Sequence, residues 1–158
     1  VLAADMIMLG KNIPYEKAYH LAEIAVEHGT ALEKFREFIE AHGGNPDITK
    51  DYSLLPEAKF SYDVISEKSG FISAADSQEI GICALNLGAG RKNKNDDIDY
   101  SAGIVFNKTV GEYADKGECI MTLYSSDKCP FEEISARALN ALDFSNEKPS
   151  ENNIILMN

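Results

Sequence analysis

Apolar positions along this chain recur at helical spacing through about residue 44 and alternate as strands do from about residue 60. The opening run VLAADMIML reads as an apolar helix. Pro14 suits the first turn of a second helix, Ala18, Leu21, Ala22 and Ala25 form its stripe, and Gly29 suits the left-handed residue that ends it near His28. Thr30 and Glu33 then spell T-x-x-E, a capping box in which each side chain satisfies the other residue's free N–H, and Leu32, Phe35 and Ile39 continue an apolar stripe. Gly43 and Gly44 stop this third helix. Helices this short bury their stripes only against something else.

Periodicity vanishes between Asn45 and Lys59, where Pro46, Asp47, Asp51, Ser53 and Pro56 are turn and breaker residues, so a linker is expected there. Beyond it Phe60, Tyr62 and Val64 alternate, EKSG makes a turn, and Phe71 and Ile72 begin a second extended run. A helix is predicted from Ser77 to Leu87, capped by Asp76 or Ser77, with Ile80, Ala84 and Leu87 on one face and Gly88 closing it. The apolar runs Ala102–Asn107 and Cys119–Tyr124 should pair across VGEYADKGE, read as a hairpin connection. Pro130, Glu132 and Glu133 open a last helix running through Phe131, Ile134, Ala138 and Leu142. A polar stretch follows, and Asn153–Met157 is expected as an edge strand. The pattern predicts an α+β fold: a helical segment, then a mixed β domain with two helices.

Charge and cysteine usage narrow the functions. A formal charge of -11 over 158 residues repels phosphodiester backbones and anionic headgroups, which argues against nucleic-acid and membrane partners. Cys83, Cys119 and Cys129 are odd in number and none lies in a CxxC, so a disulfide scaffold or zinc site has no support and a reducing cytoplasm is expected. The opening apolar run is too short for a span and lacks the basic leader of a signal peptide. It also lacks an initiator methionine, which predicts a chain cut from a longer polypeptide.

The residues that could carry chemistry are few. Gly88-Ala89-Gly90-Arg91, with Lys92 and Lys94, has the composition of an anion site, yet it follows a helix C-terminus, where the dipole is negative. A C-cap and turn whose arginine packs, or pairs with Asp96, Asp97 or Asp99, is the better reading. Those three aspartates lack the glycine and distant glutamate of an EF-hand and read as a solvated loop. His20 and His28 fall on different helix faces, and His42 sits near a helix end where it can meet the dipole. Cys83 and Cys119 read as small core residues and Cys129 as more exposed, with no histidine near it. Neither GxGxxG nor G-x-S-x-G occurs, and nothing resembles an assembled active site.

The order of blocks is more specific than any single block: Gly43-Gly44-Asn45-Pro46, Leu54-Leu55-Pro56, Gly70-Phe71-Ile72-Ser73, Leu87 to Arg91, Ile98-Asp99-Tyr100 with Gly103-Ile104, and Val110-Gly111 with Lys116-Gly117-Glu118. This order resembles the pyrimidine-nucleoside and thymidine phosphorylases from late in their α/β domain to their C-terminus. Departures are mild: Gly111-Glu112-Tyr113-Ala114 stands where the family usually has Gly-Asp-x-Val, and Ser101-Ala102 where Ala-Val is common.

The resemblance implies residues 1–44 as the helical end of an α/β domain, 45–59 as linker and 60–158 as the C-terminal domain, of a barrel-sandwich kind shared with biotinyl and lipoyl carriers. It implies a parent pentosyltransferase that splits a pyrimidine nucleoside with inorganic phosphate into free base and pentose 1-phosphate. The phosphate- and base-binding residues of such enzymes lie upstream, so none is assigned here, no cofactor is expected in this chain, and the chain alone should be inactive. Its expected partners are the remaining α and α/β domains of the same enzyme, the parent being a homodimer. Gly88, Gly90 and Arg91 are the candidates for interdomain docking, since a rigid turn with a bidentate cation suits it. The rival is a carrier or docking module, for which Lys116 occupies the wrong turn and Lys68 in EKSG is the other hairpin lysine.

Overall fold

The computed structural model describes residues 1–150, and the expected strand at Asn153–Met157 lies outside them. The chain divides into two compact units, Val1–Leu55 and Pro56–Asn158. Its architecture is α+β.

The first unit holds helices α1 (Leu2–Lys11), α2 (Tyr15–Glu27) and α3 (Thr30–Ala41). Gly29 takes φ 74° and Gly43 φ 77°, the left-handed conformations their positions in the pattern demanded. The capping box does not form. Gly29, not Thr30, is the N-cap of α3, so Thr30 lies inside the first turn and its hydroxyl donates backward to the Ala25 carbonyl at 3.3 Å. Two short 3-10 turns, Pro46–Thr49 and Tyr52–Leu54, occupy the breaker-rich stretch, each opened by an aspartate or asparagine that accepts a backbone N–H two residues on. Arg36 donates to the Pro46 carbonyl and to Thr49 Oγ1, at 3.2 and 2.7 Å, which ties the first of these turns to α3. Among the apolar residues only Ala4 and Ala18 are fully buried in this unit, while Met6, Leu9 and Val26 are each more than 70% exposed.

The second unit contains two antiparallel three-stranded sheets. One has the order β1 (Phe60–Ile65), β5 (Cys119–Ser125), β3 (Gly103–Phe106); the other β4 (Tyr113–Ala114), β2 (Gly70–Ala75), β6 (Leu142–Ser145). The runs at 102–107 and 119–124 pair as expected, with Ile104 opposite Leu123. They are not joined by a simple hairpin. Within VGEYADKGE, Tyr113 and Ala114 leave the first sheet and pair with Phe71 and Gly70 in the second. β1 and β2 also fall in different sheets, so EKSG is a crossing between sheets rather than a hairpin tip. Among the described residues the sheets do not close into a barrel.

Two helices cover this unit: α4 (Ser77–Ala84), with Asp76 accepting from the N–H groups of Gln78 and Glu79, and α5 (Phe131–Asn140). The last helix ends at Asn140, before Leu142, because Leu142–Ser145 pairs with β2 instead. The core comprises Val64, Ile72, Cys83, Leu87, Ala114, Ile120, Met121, Leu123, Ile134, Ala138 and Leu142, with Tyr62 and Phe131 stacked at 5.8 Å beside it. β5 supplies the most, because it is the central strand and its odd-numbered residues 121, 123 and 125 face inward.

Candidate functional site

Helix α4 continues into one further turn, Leu85–Ala89, which kinks at Gly88, a residue at φ 108° and ψ 0°. A side chain there is strained by the backbone alone, and a Cβ would lie 3.3 Å from the Cβ of Asp99. Gly90 is extended, and a Cβ on it would come within 2.9 Å of Leu85 Cδ1. Local geometry therefore requires glycine at position 88, whereas at position 90 a side chain needs only the flexible end of Leu85 to move aside.

A helix end leaves carbonyls without partners, and here they are supplied from far along the chain. Ser125 Oγ donates to the Leu87 carbonyl at 2.7 Å, and the Asp99 N–H donates to the Gly88 carbonyl at 3.0 Å. The Asp99 carboxylate in turn accepts from the Ser101 N–H and hydroxyl, at 3.0 and 2.6 Å, and from the Ser126 N–H at 2.7 Å. Ser101 and Ser126 hydroxyls close the ring at 2.7 Å. The Ser101 hydroxyl, foremost, and the two N–H groups hold the Asp99 carboxyl below its ordinary pKa against the opposing effect of partial burial.

Gly88 and Gly90 thus set the turn, and Arg91 leaves it exposed, without a hydrogen bond or ion pair among the described residues. The expected pairing of Arg91 with the aspartates is not what the structure has. Asp96 instead accepts the N–H groups of Lys92 and Asn93, and Asp99 is occupied as described. A phosphate cradle is not formed either, since the turn presents capped carbonyls at the negative end of a helix. Lys92 extends to a polar cleft with Asn86, Glu133 and Arg137, in which Arg137 is already paired with Glu79 at 2.6 Å.

The remaining candidates are structural. Cys83 is buried, its thiol donates to the Ile134 carbonyl, and burial pushes its pKa up; Cys129 is shifted the same way for the same cause. His42 Nδ1 lies 2.9 Å from the Phe38 carbonyl at the end of α3. Among the described residues no His, Cys, Asp and Glu cluster could hold a metal, and no helix is long and apolar enough to cross a membrane. Lys68 lies 4.9 Å over the ring of Phe144, and the Lys116 N–H is held by Ser69 Oγ, so neither side chain stands at the tip of a paired hairpin. Asp99 and Ser101 are named from the sequence without this role, and Ser125 and Ser126 are passed over; the sole local signal is D-x-S, the spacing of an aspartate that accepts from a serine two residues on.

Residues 71–145, which hold the turn and its ring of hydrogen bonds, match the family profile of the pyrimidine nucleoside phosphorylase C-terminal domain. The second unit belongs to this family. Over 126 residues, 79% of its length, the chain is 39% identical to the pyrimidine-nucleoside phosphorylases of Staphylococcus haemolyticus and Bacillus subtilis. The corresponding protein of Staphylococcus aureus is 37% identical over the same length. The chain covers 29% of these relatives, less than a third of their length. The Gly88–Arg91 turn lies within the residues that match this C-terminal domain.

Proposed function

We propose that this chain is the non-catalytic C-terminal portion of a pyrimidine-nucleoside phosphorylase, an enzyme that converts a pyrimidine nucleoside and inorganic phosphate into free base and pentose 1-phosphate. The observation that carries the reading is the agreement of residues 71–145 with the family's C-terminal domain, reinforced by relatives at 39% identity. In this reading residues 1–44 are the helical end of the α/β domain, 45–59 the linker and 60–158 the C-terminal domain, a relative of the barrel-sandwich type. The parent works in the cytoplasm as a homodimer. The exposed apolar faces of α1 to α3, with Met6, Leu9, Val26 and Phe38 uncovered, support a helical segment built to pack on a sheet supplied by the rest of the enzyme.

Within that enzyme the second unit braces the catalytic domains, and the Gly88–Arg91 turn is its docking element. A rigid turn with an unengaged guanidinium suits bidentate recognition of a carboxylate on the neighbouring domain. Phosphorolysis gathers a phosphate dianion and an electron-poor sugar, which calls for a cationic cleft with aligned donors. The glycine-rich turn with Arg91, Lys92 and Lys94, the stretch closest to that composition among the described residues, sits at a helix C-terminus. The purified chain is therefore expected to show no phosphorolysis of uridine or thymidine; activity above a buffer control sinks this part of the reading. A carrier role draws no comparable support, and an unchanged intact mass after co-expression with a biotin or lipoate ligase is the outcome expected.

A further inference from the structure

The loop from Arg91 to Ile98 is exposed over most of its length, while both of its ends are held. At its start stands Gly90, and at its close Asp99, whose N–H grips the Gly88 carbonyl. Loop and turn are thus closed into a loop-sized ring by one residue. Asp99 also reaches the opposite side: its carboxylate takes the Ser126 N–H one residue beyond the end of β5, while the preceding Ser125 holds the Leu87 carbonyl. We propose that Asp99 is the positioning residue of the docking turn, fixing the direction in which Arg91 leaves it by clamping Gly88 from the backbone and the end of β5 from the side chain.

The chemistry favours aspartate over any neutral isostere. Three donors converge on the carboxylate, two on Oδ1 and one on Oδ2, and an ionised acid accepts at both oxygens. Asparagine keeps the shape but turns an NH2 toward either Ser126 N–H or the Ser101 donors, leaving donor facing donor. A glutamate, one methylene longer, would carry its carboxylate away from the Ser101 and Ser126 donors that Asp99 meets at 2.6 to 3.0 Å. The clamp is therefore specific in charge, length and neighbour.

This inference rests on the docking role of Arg91, and its test separates the two. Amide hydrogen exchange on the 158-residue chain reads the turn directly. Asp99→Asn is expected to speed exchange at Gly88 to Arg91 roughly ten- to a hundredfold, the loss of one charge-assisted bond, with β5 amides little changed. Ser101→Ala removes one of the three donors and should act in the same direction with smaller size, which serves if Asp99→Asn does not fold. Unchanged exchange at the turn in both variants overturns the proposal. In the full-length enzyme, Asp99→Asn and Arg91→Ala should alter the same one of kcat and KM, and the double variant should be no worse than Arg91→Ala. Additive losses also overturn it. If the turn loosens while Arg91→Ala leaves the enzyme unaffected, the clamp stands and the docking role falls.

Discussion

At the scale of single residues, the second unit depends on a few side chains whose value comes from where their hydrogen bonds go. Gly88→Ala places a methyl group at φ 108° against Asp99 and should cost about 1–3 kcal/mol of unfolding free energy, measured by urea denaturation. A loss under about 0.3 kcal/mol would show that the turn relaxes freely. Ser125 is fully buried, and Ser125→Ala strands the Leu87 carbonyl, for an expected loss of about 1–3 kcal/mol. Gly88 was legible in the sequence, since a glycine after an amphipathic run marks a helix stop. Asp99 was not: in sequence it is one of three aspartates in a polar loop, and its partners Ser101 and Ser126 become neighbours only when β3 and β5 pair.

At the scale of elements, local pattern predicts the helices and longer strands and misses two short strands and the connections between sheets. The helices at 77–84 and 131–140 and the pairing of β3 with β5 follow from period and caps. β6 was missed because Leu142 continues the apolar stripe of α5, and only the ladder with β2 shows that the chain has turned. β4 was hidden in a charged loop, its two residues held by the edge of β2. T-x-x-E failed because Gly29 serves both as the stop of α2 and as the cap of α3. The segment carrying β4 also predicts an acid response. Backbone N–H groups of Thr109 and Asp115 are the main cause holding the Glu112 and Glu118 carboxyls below their ordinary pKa. A carboxyl with a depressed folded-state pKa contributes stability that is complete above the unfolded value and is lost as pH falls through the folded one. The melting temperature should therefore be level near neutrality and drop below about pH 4, and Glu112→Gln with Glu118→Gln should flatten that drop. An identical acid profile in the double variant would refute this assignment.

At the scale of the whole molecule, the two units differ in how much they bury. Leu123 is fully buried on the central strand, and Leu123→Ala should cost about 2–5 kcal/mol in the second unit's transition. The first unit has two small alanines as its only fully buried apolar residues, so its helix amides should exchange with solvent far faster than those of β5. Equal protection in α1 and β5 would contradict this. The chain divides near Leu55, inside the stretch where prolines and aspartates interrupt the periodicity, whereas the two-sheet arrangement depends on pairings between residues some sixty apart, such as Tyr62 with Leu123. Such pairings leave no trace in a local window.

The ring around Gly88 also orders events in time. Its bonds join Leu87 to Ser125 and Asp99 to Ser126, so closing it requires loops that are entropically slow to form, and the turn can acquire its final shape only after β5 has docked. A nascent or damaged chain would present Arg91 on a mobile tether, and only a completed core would hold it still. An Arg91 held in one direction is thus a report on whether the unit has finished folding.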